Sequence, residues 1–191
     1  MERGKPYALR PEDSKRKLAA ELQALCRELG VKPVIIGGLA VSHHGYARFT
    51  ADVDILLSRE EAATLYRRLK SEPGWKRYAE GFKNTFFDVG LDVCVEGERT
   101  SPRSEEVFPN PREVRTLAVR PIPVIDLAGL IALKVKSGRA RDDADVVELL
   151  KRHASRSGAL RRSASRLLAT REAKARLEEL AARAREEGSR R

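Results

Sequence analysis

The stretch GGLAVSHHGYARFTADVDIL, residues 37–56, joins a glycine pair to two aspartates that alternate with apolar residues. Gly37 and Gly38 follow a wholly apolar run at 33–36, which predicts a short buried strand, and precede a predicted short helix at 39–46. Glycine lets the backbone approach a ligand closely, and the free N–H groups at the start of a helix favour phosphate. The glycine pair therefore predicts a phosphate-binding turn, with a plain tight turn as the alternative.

Asp52 and Asp54 begin a predicted strand that continues to residue 57. Residues two apart on a strand point to the same face, so the two carboxylates lie roughly 6–7 Å apart. Two ionised carboxylates on one face repel each other, and Mg²⁺ or Mn²⁺ offsets this repulsion while binding substrate phosphates. The pair therefore predicts a divalent metal site. The alternative is two solvated aspartates on an exposed sheet face.

Asp92 is the candidate third carboxylate. It lies in the predicted strand 91–95, where apolar residues alternate with it, and a neighbouring strand would bring it beside the first pair. Three carboxylates hold two metals, of which one binds the triphosphate and the other activates an attacking hydroxyl. Asp88 competes for this place, and the cleaner alternation around Asp92 favours Asp92 as metal ligand or general base.

The glycine pair and the three aspartates, in this order, resemble the nucleotidyltransferase superfamily with the DNA polymerase β-like fold. The likeness extends to bacterial minimal nucleotidyltransferases and to AbiEii-type toxins of abortive-infection systems. It covers residues 33–150 and includes a second stretch, IDLAGLIALKVKSGRARDDADVVEL, at 125–149. The residues that carry it are Gly37, Gly38, Gly45, Arg48, Thr50, Asp52, Asp54, Asp92, Lys134, Arg139, Asp142 and Asp145.

The resemblance implies that the glycine pair cradles the triphosphate of a nucleotide such as ATP. It also implies that the three aspartates bind Mg²⁺ or Mn²⁺ and are catalytic, with Asp92 available to deprotonate the acceptor. Many members have a serine after the first glycine, whereas this chain has Gly38, so backbone amides would have to contact the phosphate there.

Further nucleotide-binding residues are implied outside the acidic strands. Arg48 and Thr50 would contact phosphate or fix their loop, and Lys134 would neutralise the triphosphate or the leaving pyrophosphate. Three more matched positions have a less defined role in the resemblance, and an ion-pair network that docks two helices is their alternative. These three are Arg139, Asp142 and Asp145.

The function implied is the metal-dependent transfer of a nucleoside monophosphate from an NTP to an acceptor. The acceptor is open among tRNA, a partner protein and a small molecule, and the families named include components of toxin–antitoxin systems. The alternative is a weakly active or inactive module of the same fold that binds RNA or a partner protein.

The predicted elements alternate between helices and strands, which indicates an α/β (α+β) fold with a small mixed sheet flanked by helices. Strands are expected at 75–79, 84–88 and 91–95, with an edge strand within 113–119. The domain is expected to span 1–153, and a basic helical extension 154–191 would contain a hinge at 155–158 and one long helix at 159–187.

The charge of the chain concentrates near its C-terminus. The 191 residues include 38 Lys and Arg and 28 Asp and Glu, a net charge of +10. Residues 151–191 alone hold 13 Lys and Arg against five Asp and Glu, which predicts nucleic-acid contact or, alternatively, a solvated helix.

Two further features place the chain in a cellular context. Its two cysteines favour core positions over a disulfide. No apolar run has the length of a signal peptide or a membrane span, so we expect a cytoplasmic protein without membrane contact.

The adjacent residues His43 and His44 do not share a helix face, so a joint zinc site is not expected.

Overall fold

The computed structural model describes residues 11–78, 81–102 and 104–189, and within these residues seven strands and seven helices form. The strands are β1 (Val34–Ile35), β2 (Asp52–Leu57), β3 (Trp75–Tyr78), β4 (Gly81–Asn84), β5 (Val89–Val95), β6 (Thr116–Leu117) and β7 (Val124–Ile125). The helices are α1 (Pro11–Glu28), α2 (Gly37–His43), α3 (Arg59–Leu69), α4 (Leu127–Ser137), α5 (Ala140–Arg152), α6 (Ser157–Ser165) and α7 (Arg171–Ser189).

Local capping signals set the ends of the central helices. Ser58 and Glu61 form the predicted capping box at the start of α3, where each side chain bonds the other residue's backbone N–H. Asp126 caps α4 by accepting a hydrogen bond from the Gly129 N–H at 2.8 Å. Gly138 ends α4 in the left-handed conformation, with φ of 65°.

The sheet is mixed, with strand order β3-β4-β5-β2-β1-β7-β6. β2 is parallel to β5 and antiparallel to β1, while β1 is parallel to β7. The hairpin of β3 and β4 continues the sheet beyond β5 in antiparallel fashion, and β6 forms the opposite edge. This topology confirms the predicted class, a mixed sheet within an α/β chain, and the predicted edge strand within 113–119.

The two faces of the sheet differ because polar and apolar residues alternate along β2. Val53 and Ile55 are fully buried on one face, which α1 and α3 cover. On that face, Tyr66 of α3 packs against Phe82 with ring centroids 5.5 Å apart. The aspartates of β2 point to the opposite face, where α2 lies near the middle of the sheet.

The C-terminal helices pack against the body of the protein. The buried residues of α7, among them Leu177 and Leu180, join the same hydrophobic cluster as the sheet, and α7 contacts α5. The boundary between residues 153 and 154 stays a prediction. Residues 1–10 of the predicted domain and 190–191 of the predicted extension lie outside the described residues.

The single long helix predicted at 159–187 is wrong, because the chain leaves the helix between α6 and α7. Glu106 lies under this connection and is only 4% exposed. Its Oε1 accepts hydrogen bonds from the N–H groups of Ala169 and Thr170 and from the Thr170 hydroxyl, at 3.0, 2.8 and 3.0 Å. Thr170 then caps α7 by accepting from the Ala173 N–H. The predicted hinge at 155–158 lies in a 3-10 turn, Ala154–Arg156, and the start of α6.

One expectation in the β-rich middle also needs correction. The strand predicted at 84–88 is wrong, since residues 85–88 form a turn between β4 and β5. Asn84 organises this turn because its Oδ1 accepts hydrogen bonds from the N–H groups of Phe86 and Phe87. The strand predicted at 75–79 is present as β3, and its expected last residue, 79, lies outside the described residues. Among the helices of the described segments, none is long and apolar enough to cross a membrane.

Candidate active site

Asp54 and Asp92 face each other across the centre of the sheet. They are register partners on the parallel strands β2 and β5, as Asp52 and Gly90 are two residues earlier. Both carboxylates line a cleft of about 630 Å³ whose other walls come from the start of α2, from α4 and from the loop after β5. The structure thus brings together two of the three predicted carboxylates directly and places Asp52 at the adjoining position.

The environment of Asp54 disfavours its charged form. Burial, followed by the charge of Asp92, raises the pKa of Asp54 from 3.8 to about 6. A hydrogen bond from the Gly38 N–H to Asp54 Oδ2, at 3.2 Å, acts in the opposite direction. A carboxyl group with this pKa is mostly ionised at neutral pH, so the site carries a repulsive charge pair that a cation would relieve.

Gly37 and Gly38 are the first two residues of α2 rather than a turn before it. Gly37 has φ of 60°, and a Cβ atom at this position would lie 2.0 Å from Asp54 Oδ2. The glycine is therefore required by backbone conformation and by the closeness of the carboxylate. Since the Gly38 N–H donates to Asp54, this amide holds the acidic strand, and the predicted cradle for a triphosphate stays a prediction.

The carboxylates of Asp52, Asp54 and Asp92 supply oxygen donors, which are the ligands that divalent cations such as Mg²⁺ prefer. No group of three or more His, Cys, Asp or Glu side chains in the described segments forms a preassembled metal cage. Mg²⁺, however, is commonly held by one or two carboxylates together with substrate phosphates and water. The opposed oxygen donors of Asp54 and Asp92, with Asp54 destabilised in its ionised form, fit this mode of binding.

Lys134 lies in the same cleft but is engaged by two carboxylates. Its Nζ is 2.5 Å from Asp142 Oδ1 and 3.0 Å from Asp145 Oδ2, and the residue is only 8% exposed. Asp142 also accepts a hydrogen bond from the Ser137 hydroxyl. This arrangement joins α4 to α5 and agrees with the alternative that Asp142 and Asp145 dock two helices.

Arg48 completes this buried network from the loop before β2. Its guanidinium makes a bidentate contact with Asp145, with Nε and Nη2 at 2.6 and 2.7 Å from the two carboxylate oxygens. Thr50 packs against Gly38, where an added Cβ would lie 2.5 Å from the Thr50 hydroxyl, and it is 8% exposed. Both residues hold the loop that leads into the acidic strand, and their contact with nucleotide stays a prediction.

Two guanidinium groups stand at the cleft with more exposure than Lys134. Arg139, at the start of α5, was expected from the resemblance, whereas Arg99 was missed. Arg99 belongs to the polar stretch after β5, where it forms a backbone bridge with Val107 and where backbone hydrogen bonds join its neighbours Glu98 and Thr100 to Phe108 and Glu106. No sequence pattern marks it, because its position depends on how this stretch folds back over the site.

Neighbouring polar residues have structural positions. Asp88, the alternative to Asp92, lies in the β4–β5 turn and pairs with Lys83 at 2.6 Å. His44 is buried, with Nε2 2.9 Å from the Ile125 carbonyl oxygen, while His43 is exposed. Burial lowers the pKa of His44, so its neutral form is favoured. The two histidines thus differ in burial, and the His44 ring is engaged by a backbone carbonyl.

Comparisons with known proteins address the fold. No model of a known protein family matches the chain, and a search of curated proteins finds no match. Solved structures do match, and those described below are nucleotidyltransferases or nucleotidyltransferase-like proteins. The chain therefore has the nucleotidyltransferase fold, as the resemblance predicted, while the likeness to AbiEii-type toxins stays a prediction.

A nucleotidyltransferase-like antigenic protein from Paracoccidioides brasiliensis is 15% identical, with a TM-score of 0.55 over 93% of this chain and 91% of that one. The antibiotic-resistance factor ANT(2")-Ia is 13% identical in a solution structure, with a TM-score of 0.50 over 81% of this chain and 92% of that one. Its crystal structure in complex with adenylyl-2"-tobramycin is 14% identical, with a TM-score of 0.50 over 82% and 99%. At these identities the likeness concerns the fold alone.

Proposed function

We propose that this protein is a divalent-metal-dependent nucleotidyltransferase, which transfers a nucleoside monophosphate from an NTP to a hydroxyl or phosphate acceptor and releases pyrophosphate. The observation that supports this proposal is the opposition of Asp54 and Asp92 across two parallel strands, at the floor of a cleft. A protein without metal chemistry gains nothing from two mutually repelling carboxylates in this position, since the charge of Asp92 contributes to the raised pKa of Asp54.

The acidic residues of the cleft suit a metal ion, and its basic residues suit the phosphates of a nucleotide. Asp54 and Asp92 would hold Mg²⁺ or Mn²⁺, with Asp52 as the adjoining ligand. The guanidinium groups of Arg99 and Arg139 line the same cleft and suit the phosphates of an NTP. Lys134 lies deeper, where it pairs with Asp142 and Asp145, and its charge favours the ionised form of Asp54 by lowering the pKa of that group.

The chemistry required of the protein is mainly positioning. A bound divalent cation would supply charge neutralisation for the triphosphate and polarise the reacting groups. Asp92 is the more exposed of the two opposed carboxylates and therefore faces an incoming acceptor. In the transfer, the acceptor oxygen forms a bond to the α-phosphorus, the bond between the α-phosphorus and the bridging oxygen breaks, and the acceptor proton passes to Asp92.

The test measures transfer of the nucleotide itself. Purified full-length protein is incubated with each of the four α-labelled NTPs, Mg²⁺ or Mn²⁺, and cell extract. We expect wild-type protein to label an extract component, and Asp54→Asn and Asp92→Asn to abolish this labelling. Asp88→Asn is the matched control, because Asp88 is an exposed aspartate of the β4–β5 turn outside the cleft, and it should retain labelling.

Absence of labelling would support the alternative function, a module of this fold that lacks transfer activity. If wild-type protein and Asp54→Asn label the extract equally weakly with every NTP, the chain is an inactive module of this fold that binds RNA or a partner protein. Both roles are compatible with a toxin–antitoxin component and with a cytoplasmic location, which stay predictions. Growth arrest on induction of wild-type protein but not of Asp54→Asn would support a toxin.

Nucleic-acid contact through residues 151–191 also stays a prediction. Several of its basic side chains already have acidic partners, as in the pairs Arg161–Glu178 and Arg176–Asp143. Truncation of this segment would remove α7 and expose the apolar surface that α7 covers. The test therefore requires exchange of exposed charges instead. Arg162→Gln together with Arg171→Gln removes two exposed cations, and lower salt dependence of RNA binding is the expected result.

A further inference from the structure

Beyond Asp92 the sheet continues for two more strands to the edge formed by β3. Lys83 pairs with Gly90, and Lys76 of β3 pairs with Lys83, so one row of register partners runs Asp52–Gly90–Lys83–Lys76. Residues paired across neighbouring strands point to the same face. Lys76 and Lys83 therefore share the face of Asp52.

A second row ends on an aromatic side chain. Tyr78 is the register partner of Gly81. Gly81 in turn lies beside Asp92, since a Cβ atom at position 81 would be 3.1 Å from Asp92 Oδ1. The row Asp54–Asp92–Gly81–Tyr78 therefore leads from the cleft to the sheet edge, with Tyr78 two strand spacings, roughly 10 Å, from Asp92.

This part of the sheet face is open. Tyr78 is 65% exposed, Lys76 is exposed, and α1 and α3 cover the other face of the sheet. Gly90 and Gly81 carry no side chains that could separate the carboxylates from the lysines and the tyrosine. We call the surface formed by Lys76, Tyr78 and Lys83 the hairpin platform.

The hairpin platform combines an exposed aromatic ring with two cations next to the candidate transfer site. Aromatic side chains stack on the bases of single strands, and neighbouring lysines contact the phosphates. The chemistry of the platform therefore matches a polyanion with planar rings. It does not match a polycationic acceptor, which Lys76 and Lys83 would repel.

We propose that the hairpin platform binds the 3′ end of a single-stranded nucleic acid, which is the acceptor of the transferred nucleotide. This proposal rests on the nucleotidyl transfer proposed above. A base near the 3′ end stacks on Tyr78, phosphates contact Lys76 and Lys83, and the terminal hydroxyl reaches Asp92. The hydroxyl oxygen bonds to the α-phosphorus of the NTP, pyrophosphate leaves, and the proton passes to Asp92, so the product is one nucleotide longer.

The present partner of Lys83 is compatible with this use. Its Nζ lies 2.6 Å from Asp88 Oδ1, but the Asp88 side chain is 84% exposed and that of Lys83 40%. Exposed ion pairs of this kind contribute little to stability, so a phosphate group can replace Asp88 as the partner of Lys83.

The test separates binding of the acceptor from catalysis. Binding of a fluorescein-labelled 12-nucleotide single strand with a free 3′ hydroxyl is measured by anisotropy in EDTA, with RNA and DNA versions as separate arms. Loss of one stacked base weakens the affinity for a single strand, so we expect Tyr78→Ala to weaken binding about tenfold, while Tyr78→Phe retains it. Lys76→Gln with Lys83→Gln should lower the slope of log K against log salt by about 1.4.

Matched controls come from the opposite face of the sheet. Lys17 of α1 and Lys70 after α3 are exposed there, and Lys17→Gln with Lys70→Gln removes the same charge without touching the platform. Phe49→Ala, in the loop before β2, removes another exposed aromatic ring that lies outside the platform. If Tyr78→Ala and the platform lysine variant bind both strands as wild type does, or if the controls weaken binding equally, the proposal is wrong. The arm that binds more tightly identifies RNA or DNA as the acceptor.

The two proposals fail in different ways. If Asp54→Asn abolishes labelling of an extract protein while Tyr78→Ala leaves oligonucleotide binding unchanged, nucleotidyl transfer holds, the platform proposal is overturned, and a protein acceptor is supported. If Tyr78 is required for oligonucleotide binding but no NTP labels any acceptor, the platform binds nucleic acid without the proposed transfer, and its role as an acceptor site is overturned.

Discussion

Asp54 lies directly opposite Asp92 in the register of two parallel strands, and the charge of Asp92 helps to raise the pKa of Asp54 to about 6. The repulsion between these two carboxylates therefore lowers the stability of the folded protein at the floor of the cleft. Burial is the larger cause of the shift, and the Gly38 N–H and Lys134 offset it only in part, so a proton or a bound cation would relieve it further.

Replacement of Asp54 by Asn should stabilise the protein in EDTA. Because the folded-state pKa of about 6 exceeds the ordinary value of 3.8, the contribution of Asp54 is most favourable below pH 4 and is lost as pH rises through 6. At pH 8 the ionised group costs up to about 3 kcal/mol, which Asp54→Asn removes. Urea unfolding should show a gain at pH 8 and about half that gain at pH 5. Asp88→Asn, at an exposed site, should change stability little at either pH, and an equal gain there would contradict this account.

Divalent cations should remove the stability advantage that Asp54→Asn has over wild-type protein in EDTA. Mg²⁺ with a non-hydrolysable NTP analogue binds the folded state, so it should raise the Tm of wild-type protein. Asp54→Asn and Asp92→Asn remove carboxylate ligands and should lose most of the increase. Differential scanning calorimetry with and without EDTA measures this. An equal increase for wild type and both variants would show that the nucleotide binds elsewhere.

Removal of Asp145 should destabilise the protein strongly. Asp145 is 1% exposed and pairs with both Arg48 and Lys134, so Asp145→Asn leaves two cations short of a partner. We expect a loss of about 3–5 kcal/mol in the free energy of unfolding. The control is Glu178→Gln, whose pair with Arg161 is half exposed and should contribute less than about 1 kcal/mol. Similar losses for both variants would mean that the buried network does not hold the loop before β2.

An alanine at position 37 should disturb the site as well as the backbone. Gly37 and Gly45 both have positive φ, at 60° and 96°, so either alanine costs about 1–2 kcal/mol through strain. A Cβ atom at position 45 meets nothing within 4 Å, whereas one at position 37 would overlap Asp54. Gly37→Ala should therefore lower nucleotide transfer at least tenfold, and Gly45→Ala should leave it near the wild-type rate. Equal activities would show that Asp54 tolerates displacement.

Local sequence signals were sufficient for many elements because their causes are local. The capping box of Ser58 and Glu61 places α3, and Asp126 places the start of α4. The alternation of aspartate with Val53 and Ile55 predicts a strand with one buried face, which β2 has. Each signal involves neighbours along the chain, so no knowledge of the rest of the fold was needed.

The elements that were predicted wrongly depend on distant partners. The break between α6 and α7 is stabilised by Glu106, which lies more than sixty residues earlier, and helix propensity alone does not reveal it. The turn after β4 depends on Asn84, a fully buried residue whose Nδ2 donates to Glu21 of α1. Apolar residues at 86 and 87 suggested a strand, but the side chain of Asn84 binds their N–H groups instead.

In the candidate site, too, some features depend on neighbouring residues in the sequence and others on distant ones. The sequence by itself determined that Asp52 and Asp54 share a face and that a glycine pair precedes them, because both depend on the geometry of a few consecutive residues. The choice of Asp92 over Asp88 was made by the register of β2 against β5, and the pairing of Lys134 with Asp142 by the packing of α4 on α5. Register and helix packing are set by burial across the whole sheet, so only the tertiary structure could decide which charges meet.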